Sequence, residues 1–393
     1  MSHMKERTIS YLNISSTQNE QNLRLSLSYT FMAIIGVVMA GGKGTRLRPI
    51  TYSIPKPLVP IAGYPCIEYT IESFYRAGVK DIIVTTGYKF DSLISGVIDL
   101  KYPDLNVLFS VEKEPAGTAG GVKLTEHFID GTFIVGSGDI LSDFDIKDVL
   151  DFHRKKKSKV TIVLSEVDDP SQFGIVEMEN HRITKFLEKP KPEETFSKLV
   201  NAGIYVMEPS VLEKIPYGKP FDFGKDLFPL LLSEGEEIYG ITGKGTWIDT
   251  GRPHDMIRAN QIMTEKRGKK YSEEKLNGIM ILKTPRGKIS GNILGSSYIG
   301  KDVTISRECT VNASAIYDYG RLEENVIIED SLLMDHVGVG KNTRIRNSVI
   351  MKNTQIGDDC DINDSVLSPN LNLHSGSKIY NVSLTSGTME DSY

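Results

Sequence analysis

Residues 41–47 read Gly41-Gly42-Lys43-Gly44-Thr45-Arg46-Leu47, and Pro55-Lys56-Pro57 follows shortly after. An apolar run, Ile34 to Ala40, leads into this block. Apolar strand, glycine turn and two nearby cations, Arg46 and Lys56, together describe an anion cradle. Glycine has no Cβ, so backbone N–H groups approach an anion closely, and the cations offset its charge. Phosphate is the anion that suits such a site. The block matches neither common phosphate loop. Lys43 is followed by Gly44 rather than Ser or Thr, and Leu47 stands where a dinucleotide loop needs a third glycine. Lys56, confined between two prolines, reads as a fixed side chain rather than a roaming surface lysine.

Further blocks have the same character. Glu114-Pro115-Ala116-Gly117-Thr118-Ala119-Gly120-Gly121 is a second glycine loop, which reads equally as a helix start with Thr118 as its cap. Gly138-Asp139 ends an apolar segment. Glu188-Lys189-Pro190, Asn201-Ala202-Gly203-Ile204-Tyr205 and Trp247-Ile248-Asp249-Thr250-Gly251 complete the set.

In identity and order these blocks resemble the signature of sugar-phosphate nucleotidylyltransferases. Within that family they are closest in look to mannose-1-phosphate guanylyltransferases. The resemblance implies transfer of a nucleoside monophosphate from a nucleoside triphosphate to a sugar 1-phosphate, with release of pyrophosphate. It places Ala40, Gly41, Gly42, Gly44 and Thr45 around the triphosphate, with Arg46 and Lys56 as its cations. Pro115, Gly117 and Thr118 border base and ribose. Lys189 pairs with the attacking phosphate, while Glu188, Asn201 and Gly203 serve the sugar. Asp139 and Asp249 bind Mg²⁺, which suits two carboxylates supplemented by substrate oxygens. A phosphate monoester has its second pKa at about 6, so the attacking group needs no activated Ser, Cys or His. The main obstacle is repulsion. Two like charges about 4 Å apart cost roughly 1 kcal/mol in water and about 4 at an effective dielectric near 20.

Substrate identity stays open at this level, since glucose-1-phosphate uridylyl- and thymidylyltransferases carry similar blocks. Two other classes also remain: a catalytically silent nucleotide-sugar-binding regulator, and a bifunctional acyltransferase. The latter chemistry usually needs a histidine base, for which His336 and His374 are the candidates.

These residues need positioning elements. Between 32 and 266, apolar strands (Ile34–Ala40, Asp81–Thr86, Asn106–Val111, Thr132–Val135, Val160–Leu164) alternate with helical stretches (Cys66–Ala77, Asp91–Leu100, Ala119–Phe128, Ile146–Lys156). Such alternation predicts an α/β fold, a Rossmann-like and mainly parallel sheet, with ligands outside the carboxyl ends of its strands. Asp145 reads as the cap of the helix that follows it.

After a connector over 267–288 the pattern changes. Ser297, Ser314, Ser331, Ser348 and Ser365 recur every 17 residues. Ile299, Ile316, Leu333, Ile350 and Leu367 keep the same interval, as do Ile305, Leu322, Val339 and Ile356, and Leu294, Val311, Ile328, Ile345 and Ile362. Steps of five, six and six residues predict a coil with three flat faces, a hexapeptide-type parallel β-helix over 289–393. Its resemblance to the coil that follows the catalytic domain in many of these enzymes implies left-handedness. We expect residues 369–393 to cap the coil and its flat faces to pair subunits in a homo-oligomer.

Composition bounds the rest. A net charge of −5 disfavours a nucleic-acid surface, and no apolar run reaches membrane-spanning length. Three cysteines, Cys66, Cys309 and Cys360, lie far apart with neither zinc nor disulfide spacing, which suits a reducing cytoplasm. Met1 to Met4 resembles a tag remnant. The polar stretch through residue 31, where Leu23, Leu25, Leu27 and Tyr29 alternate, reads as a peripheral extension.

Overall fold

The computed structural model describes residues 9–12, 34–271, 279–281 and 286–385. They fall into two compact units, one from Met1–Gly42 and Ile67–Trp247, the other from Lys43–Cys66 and Ile248–Tyr393. The alternating stretch from Leu23 to Tyr29 lies outside the described residues.

The first unit is built on a ten-stranded sheet. Strands Asn106–Val111, Asp81–Thr86, Ile35–Met39 and Phe133–Ser137 run parallel side by side. Ile9–Leu12 adds a parallel edge strand beside Asn106–Val111. The other half is mixed. Leu199–Met207 is antiparallel to both Phe133–Ser137 and Val160–Glu166, and the hairpin of Gly174–Glu179 with Arg182–Glu188 continues the sheet. Val37 and Val38, consecutive in the strand and so facing opposite sides, are both fully buried. Cover on both faces explains why this strand reads as an unbroken apolar run. One core spans Val135, Ile162, Tyr205, Phe223 and Phe228. Helix Ile146–Lys156 is capped as expected, Asp145 Oδ1 accepting from Lys147 N at 2.9 Å.

The second unit carries the coil. Three parallel sheets of seven, six and six strands form its faces. Ile299, Ile316, Leu333, Ile350 and Leu367 point inward together with Ile305, Leu322, Val311, Ile328 and Ile345. The serine column has a clear task. Ser331 N donates to Ser314 Oγ at 3.0 Å, and Ser348 N to Ser331 Oγ at 3.1 Å. Each of these hydroxyls in turn donates to a carbonyl, Asn312 O from Ser314 and Glu329 O from Ser331. A buried corner amide thereby keeps a partner where the chain turns between faces.

Leu294 departs from the expected register. Ile293, not Leu294, pairs with Val311, and Leu294 is 49% exposed. The pairing there steps by 18 residues instead of 17, and left-handed Gly295 (φ 59°) marks the turn just after this strand. At the other end, the strands Asn372–Leu373, Lys378–Tyr380 and Ser383–Leu384 still pair as coil. The segment assigned to a cap therefore extends the repeat through Leu384. Val382 occupies the serine position there, and its N–H donates to Ser365 Oγ at 3.2 Å.

One outer face of the coil is apolar. Tyr298, Ala315, Leu332, Val349 and Val366 are buried against Leu47, Ile50, Val59, Met256 and Ile257. Helix Pro253–Tyr271 and residues 45–59 thus cover this face. Asn260 fixes the arrangement, its Oδ1 accepting from Ala62 N at 2.9 Å and from the Tyr317 hydroxyl at 2.7 Å.

Candidate active site

In the second unit, the stretch that begins with Lys43 folds into short 3₁₀ turns, Thr45–Leu47, Ile50–Tyr52 and Lys56–Leu58. Gly44 opens the first of them in the left-handed region, φ 62°. A Cβ here would stand 2.8 Å from Thr51 Cγ2 and 3.1 Å from Lys56 Cβ, so only glycine fits. Thr51 Oγ1 ties the turn by donating to Gly44 O at 2.9 Å. Lys56 is buried, held by Pro55 and Pro57. Its Nζ lies 2.9 Å from Asp249 Oδ1, while Arg46 Nη2 lies 3.0 Å from Asp249 Oδ2. A Cβ on Gly251 would come within 3.0 Å of Asp249 Oδ2 and 3.1 Å of Arg46 Cζ. That glycine therefore leaves room for the ion pair. Arg46, Lys56 and Asp249 form one cluster, in which a carboxylate expected to bind metal is shared by two cations expected to bind phosphate.

In the first unit, Ala40 N donates to Thr85 O at 2.8 Å as the strand ends. Beyond it, apart from the adjoining residues, no described atom lies within 4 Å of where a Cβ on Gly42 would stand. Asp139 follows Gly138, whose N–H donates to Met39 O at 2.8 Å. The Asp139 Oδ1 accepts from Ser137 Oγ at 2.5 Å, which orients the carboxylate at the strand end.

Glu112 is a further candidate that sequence reasoning missed. Its Oε2 accepts from Ala116 N at 3.1 Å. Its Oε1 sits between glycines, 3.3 Å from a Cβ built on Gly41 and 2.5 Å from one on Gly121. Burial pushes the carboxyl above the usual range, partly opposed by the Ala116 hydrogen bond. The available signal was its place at a strand end, immediately before the Pro115–Gly121 loop.

Pro115, Gly117 and Thr118 belong to that loop, which opens helix Gly117–Lys123. The helix has no side-chain cap of its own. Thr118 instead hydrogen-bonds onward, its Oγ1 donating to Asp222 Oδ1 at 3.0 Å and accepting from Phe223 N at 3.0 Å.

Glu188 ends its strand in a cradle of glycines. A Cβ on Gly224 or Gly174 would stand 2.5 or 2.7 Å from its Oε2. Burial raises its pKa, while Lys189 and Lys225 pull the other way. Lys189 is half-exposed and takes a left-handed backbone, φ 49°, an uncommon state for a non-glycine residue. Asn201 lies beside a shift in strand register at Gly203, φ 75°. Its Oδ1 accepts from Gly203 N and its Nδ2 donates to the Tyr205 hydroxyl, both at 2.9 Å.

Comparison with known proteins identifies the family. The nucleotidyl transferase family matches residues 35–266, and a GlmU-like C-terminal hexapeptide family matches 285–363. A mannose-1-phosphate guanyltransferase of Debaryomyces hansenii is 36% identical over 267 residues, covering 65% of this chain and 72% of that protein. A mannose-1-phosphate guanylyltransferase of Mycobacterium tuberculosis is 33% identical over 302 residues, 75% of this chain and 82% of that protein. Among solved structures, a putative glucose-1-phosphate thymidylyltransferase from Bacillus anthracis has a TM-score of 0.54 at 27% identity, covering 58% of this chain and 95% of that one. HddC from Yersinia pseudotuberculosis, complexed with GMP-PN, has a TM-score of 0.51 at 30% identity, covering 59% and 100%. Glycine loop, ordered acidic and basic groups, α/β sheet and hexapeptide coil thus converge, and the chain belongs to the nucleotidyl transferase family of enzymes, with a GlmU-like hexapeptide carboxy-terminal part.

Proposed function

We propose that the chain transfers a guanylyl group from GTP to mannose 1-phosphate, releasing pyrophosphate and forming GDP-mannose. The observation that carries the transfer reading is the cluster that Lys56 and Arg46, which follow the glycine loop, form with the distant Asp249. A dianionic sugar phosphate must approach an anionic triphosphate, and preordered cations with backbone donors lower that barrier without a nucleophilic side chain. In this reading an oxygen of the sugar 1-phosphate attacks the α-phosphorus, and the bond to the bridging oxygen of pyrophosphate breaks. Arg46 and Lys56 hold the triphosphate and the departing pyrophosphate, and Lys189 holds the attacking phosphate. Glu188 and Asn201 accept or donate to sugar hydroxyls.

Asp139 and Asp249 each carry hard carboxylate oxygens, the donor type that suits Mg²⁺. Bound there, Mg²⁺ would supply further charge compensation for the phosphates.

The choice of guanine rests on the relatives' names and on Glu112. An ionised carboxylate has two acceptor oxygens, and guanine offers two adjacent donor groups on its pairing edge, so guanine bound there would favour the ionised form against the burial that raises the Glu112 pKa. Uracil and thymine offer one donor flanked by acceptors. A matrix of GTP, UTP, dTTP, ATP and CTP against mannose, glucose, galactose, fucose and N-acetylglucosamine 1-phosphates, read by pyrophosphate release, tests the reading. Fastest turnover with GTP and mannose 1-phosphate supports it. Preference for another pair replaces the substrates, and no release with any pair leaves the silent-regulator reading.

A further inference from the structure

The loop at 115–121 is fastened to a segment a hundred residues further on. Phe221 N donates to Ala116 O at 2.8 Å, and Ala119 N and Gly120 N both donate to Phe221 O at 2.9 Å. Gly117 permits this approach, since a Cβ there would stand 2.7 Å from Phe221 O. Asp222 completes the junction. Its Oδ1 accepts from Thr118 Oγ1 at 3.0 Å and from Thr118 N at 3.3 Å, while its own N–H donates to Asp226 Oδ2 at 2.7 Å. The first amides of a helix normally turn to their own cap or to water. Here residues 221 and 222 satisfy them from a distant part of the chain.

The same segment leans on the sugar residues. Phe223 begins a turn of π-helix, Phe223–Leu227, a form frequent at functional positions. Its ring packs on Tyr205 with centroids 4.9 Å apart. The Tyr205 hydroxyl receives the Asn201 amide, and Gly224 abuts the Glu188 carboxylate. Residues 221–224 therefore touch the nucleotide loop on one side and the supports of Asn201 and Glu188 on the other.

We propose that Asp222 is a positioning residue that couples the two substrates: latched to Thr118, it transmits order in the 115–121 loop to Asn201 and Glu188, so that nucleotide bound first tightens binding of the sugar phosphate. This rests on the substrate roles given above. The latch is neutral to which base is chosen, since Asp222 uses the loop's backbone and the Thr118 hydroxyl.

The test compares wild type with Asp222→Ala and Asp222→Asn, the second retaining the acceptor oxygen. Affinity for mannose 1-phosphate is measured by calorimetry with and without a saturating non-hydrolysable GTP analogue, alongside amide hydrogen exchange over 116–123. In the wild type the analogue tightens sugar-phosphate binding by about fivefold or more. Asp222→Ala removes that enhancement and speeds exchange at 118–120, and Asp222→Asn restores most of both. Should Asp222→Ala fail to fold, Thr118→Val breaks the latch from the other side and is expected to weaken the enhancement. No enhancement in the wild type, or full enhancement in Asp222→Ala, overturns the coupling. Absence of pyrophosphate release by the wild type with every substrate pair instead overturns the reading beneath it.

Discussion

Lys56 and Asp249 are 193 residues apart in the chain, yet the lysine Nζ stands 2.9 Å from a carboxylate oxygen of the aspartate. The other oxygen faces Arg46 at 3.0 Å. One carboxylate thus holds two cations at a fixed separation and limits their mutual repulsion. Lys56 is the deeper of the two, its side chain 5% exposed against 49% for Arg46. The lysine therefore anchors the cluster, and the arginine has room to move.

Lys56→Met is expected to lower stability by about 3 kcal/mol, because it strips a partner from a largely buried carboxylate. Turnover should fall by about 100-fold or more. Urea denaturation and pyrophosphate release check the two effects separately, and Arg46→Met should reduce turnover with a smaller loss of stability.

Gly44→Ala places a Cβ in a left-handed backbone against Thr51 and Lys56. The conformational term alone is about 1–2 kcal/mol. The Lys56 side chain must shift in response, so calorimetry should show weakened nucleotide binding beyond the loss seen in thermal unfolding. Nucleotide affinity equal to wild type would refute the close packing argued here.

Glu112→Gln should change the pH dependence of stability. Burial raises the carboxyl's pKa in the folded state, so folding favours the protonated form. The stability it contributes is complete below the ordinary carboxylate range and is lost as pH rises through the raised folded value. The glutamine variant cannot ionise and should gain on wild type across that window. Parallel denaturation curves at a series of pH values would show it, and GTP turnover of the variant should drop relative to UTP turnover.

Lys189→Ala should raise the KM for the sugar phosphate far more than that for the nucleotide. Initial rates with each substrate varied in turn decide the matter, and an equal rise in both would remove the lysine from its assigned role.

Ser331→Ala leaves the Ser348 amide without its hydroxyl acceptor inside the coil. An unsatisfied buried N–H costs about 1–3 kcal/mol. The loss should be visible in chemical denaturation with pyrophosphate release unchanged at low temperature.

Much of this was legible in the residues themselves. The glycine block with Arg46 and Lys56 announced phosphate chemistry because few other functions need those types together. The 17-residue interval announced the coil because every inward side chain and every serine repeats a local geometry. The expected strand Asp81–Thr86 and helix Ile146–Lys156 have those bounds in the structure. Long-range partnerships were hidden. Nothing local marks Asp222 as the acceptor for Thr118, or Asp249 as the partner of Lys56, since each depends on how distant segments meet. Glu112 was hidden for another reason: a carboxylate at a strand end looks like any exposed acid until the glycines around it are placed. Leu294 misled because the repeat interval lengthens by one residue in the first coil.

The apolar outer face of the coil, covered by Leu47, Ile50 and Val59, sets a timetable for synthesis. Those three residues leave the ribosome early, whereas Leu332 and Val349, which they pack against, come nearly three hundred residues later. At about 5–20 residues per second, the interval is roughly 15–60 s. Throughout it the Arg46 turn lacks the apolar floor that Leu332 and Val349 complete. A chain that stops short of the coil loses more than a carboxy-terminal appendage, because the support of its Arg46 turn is encoded at the far end of the message.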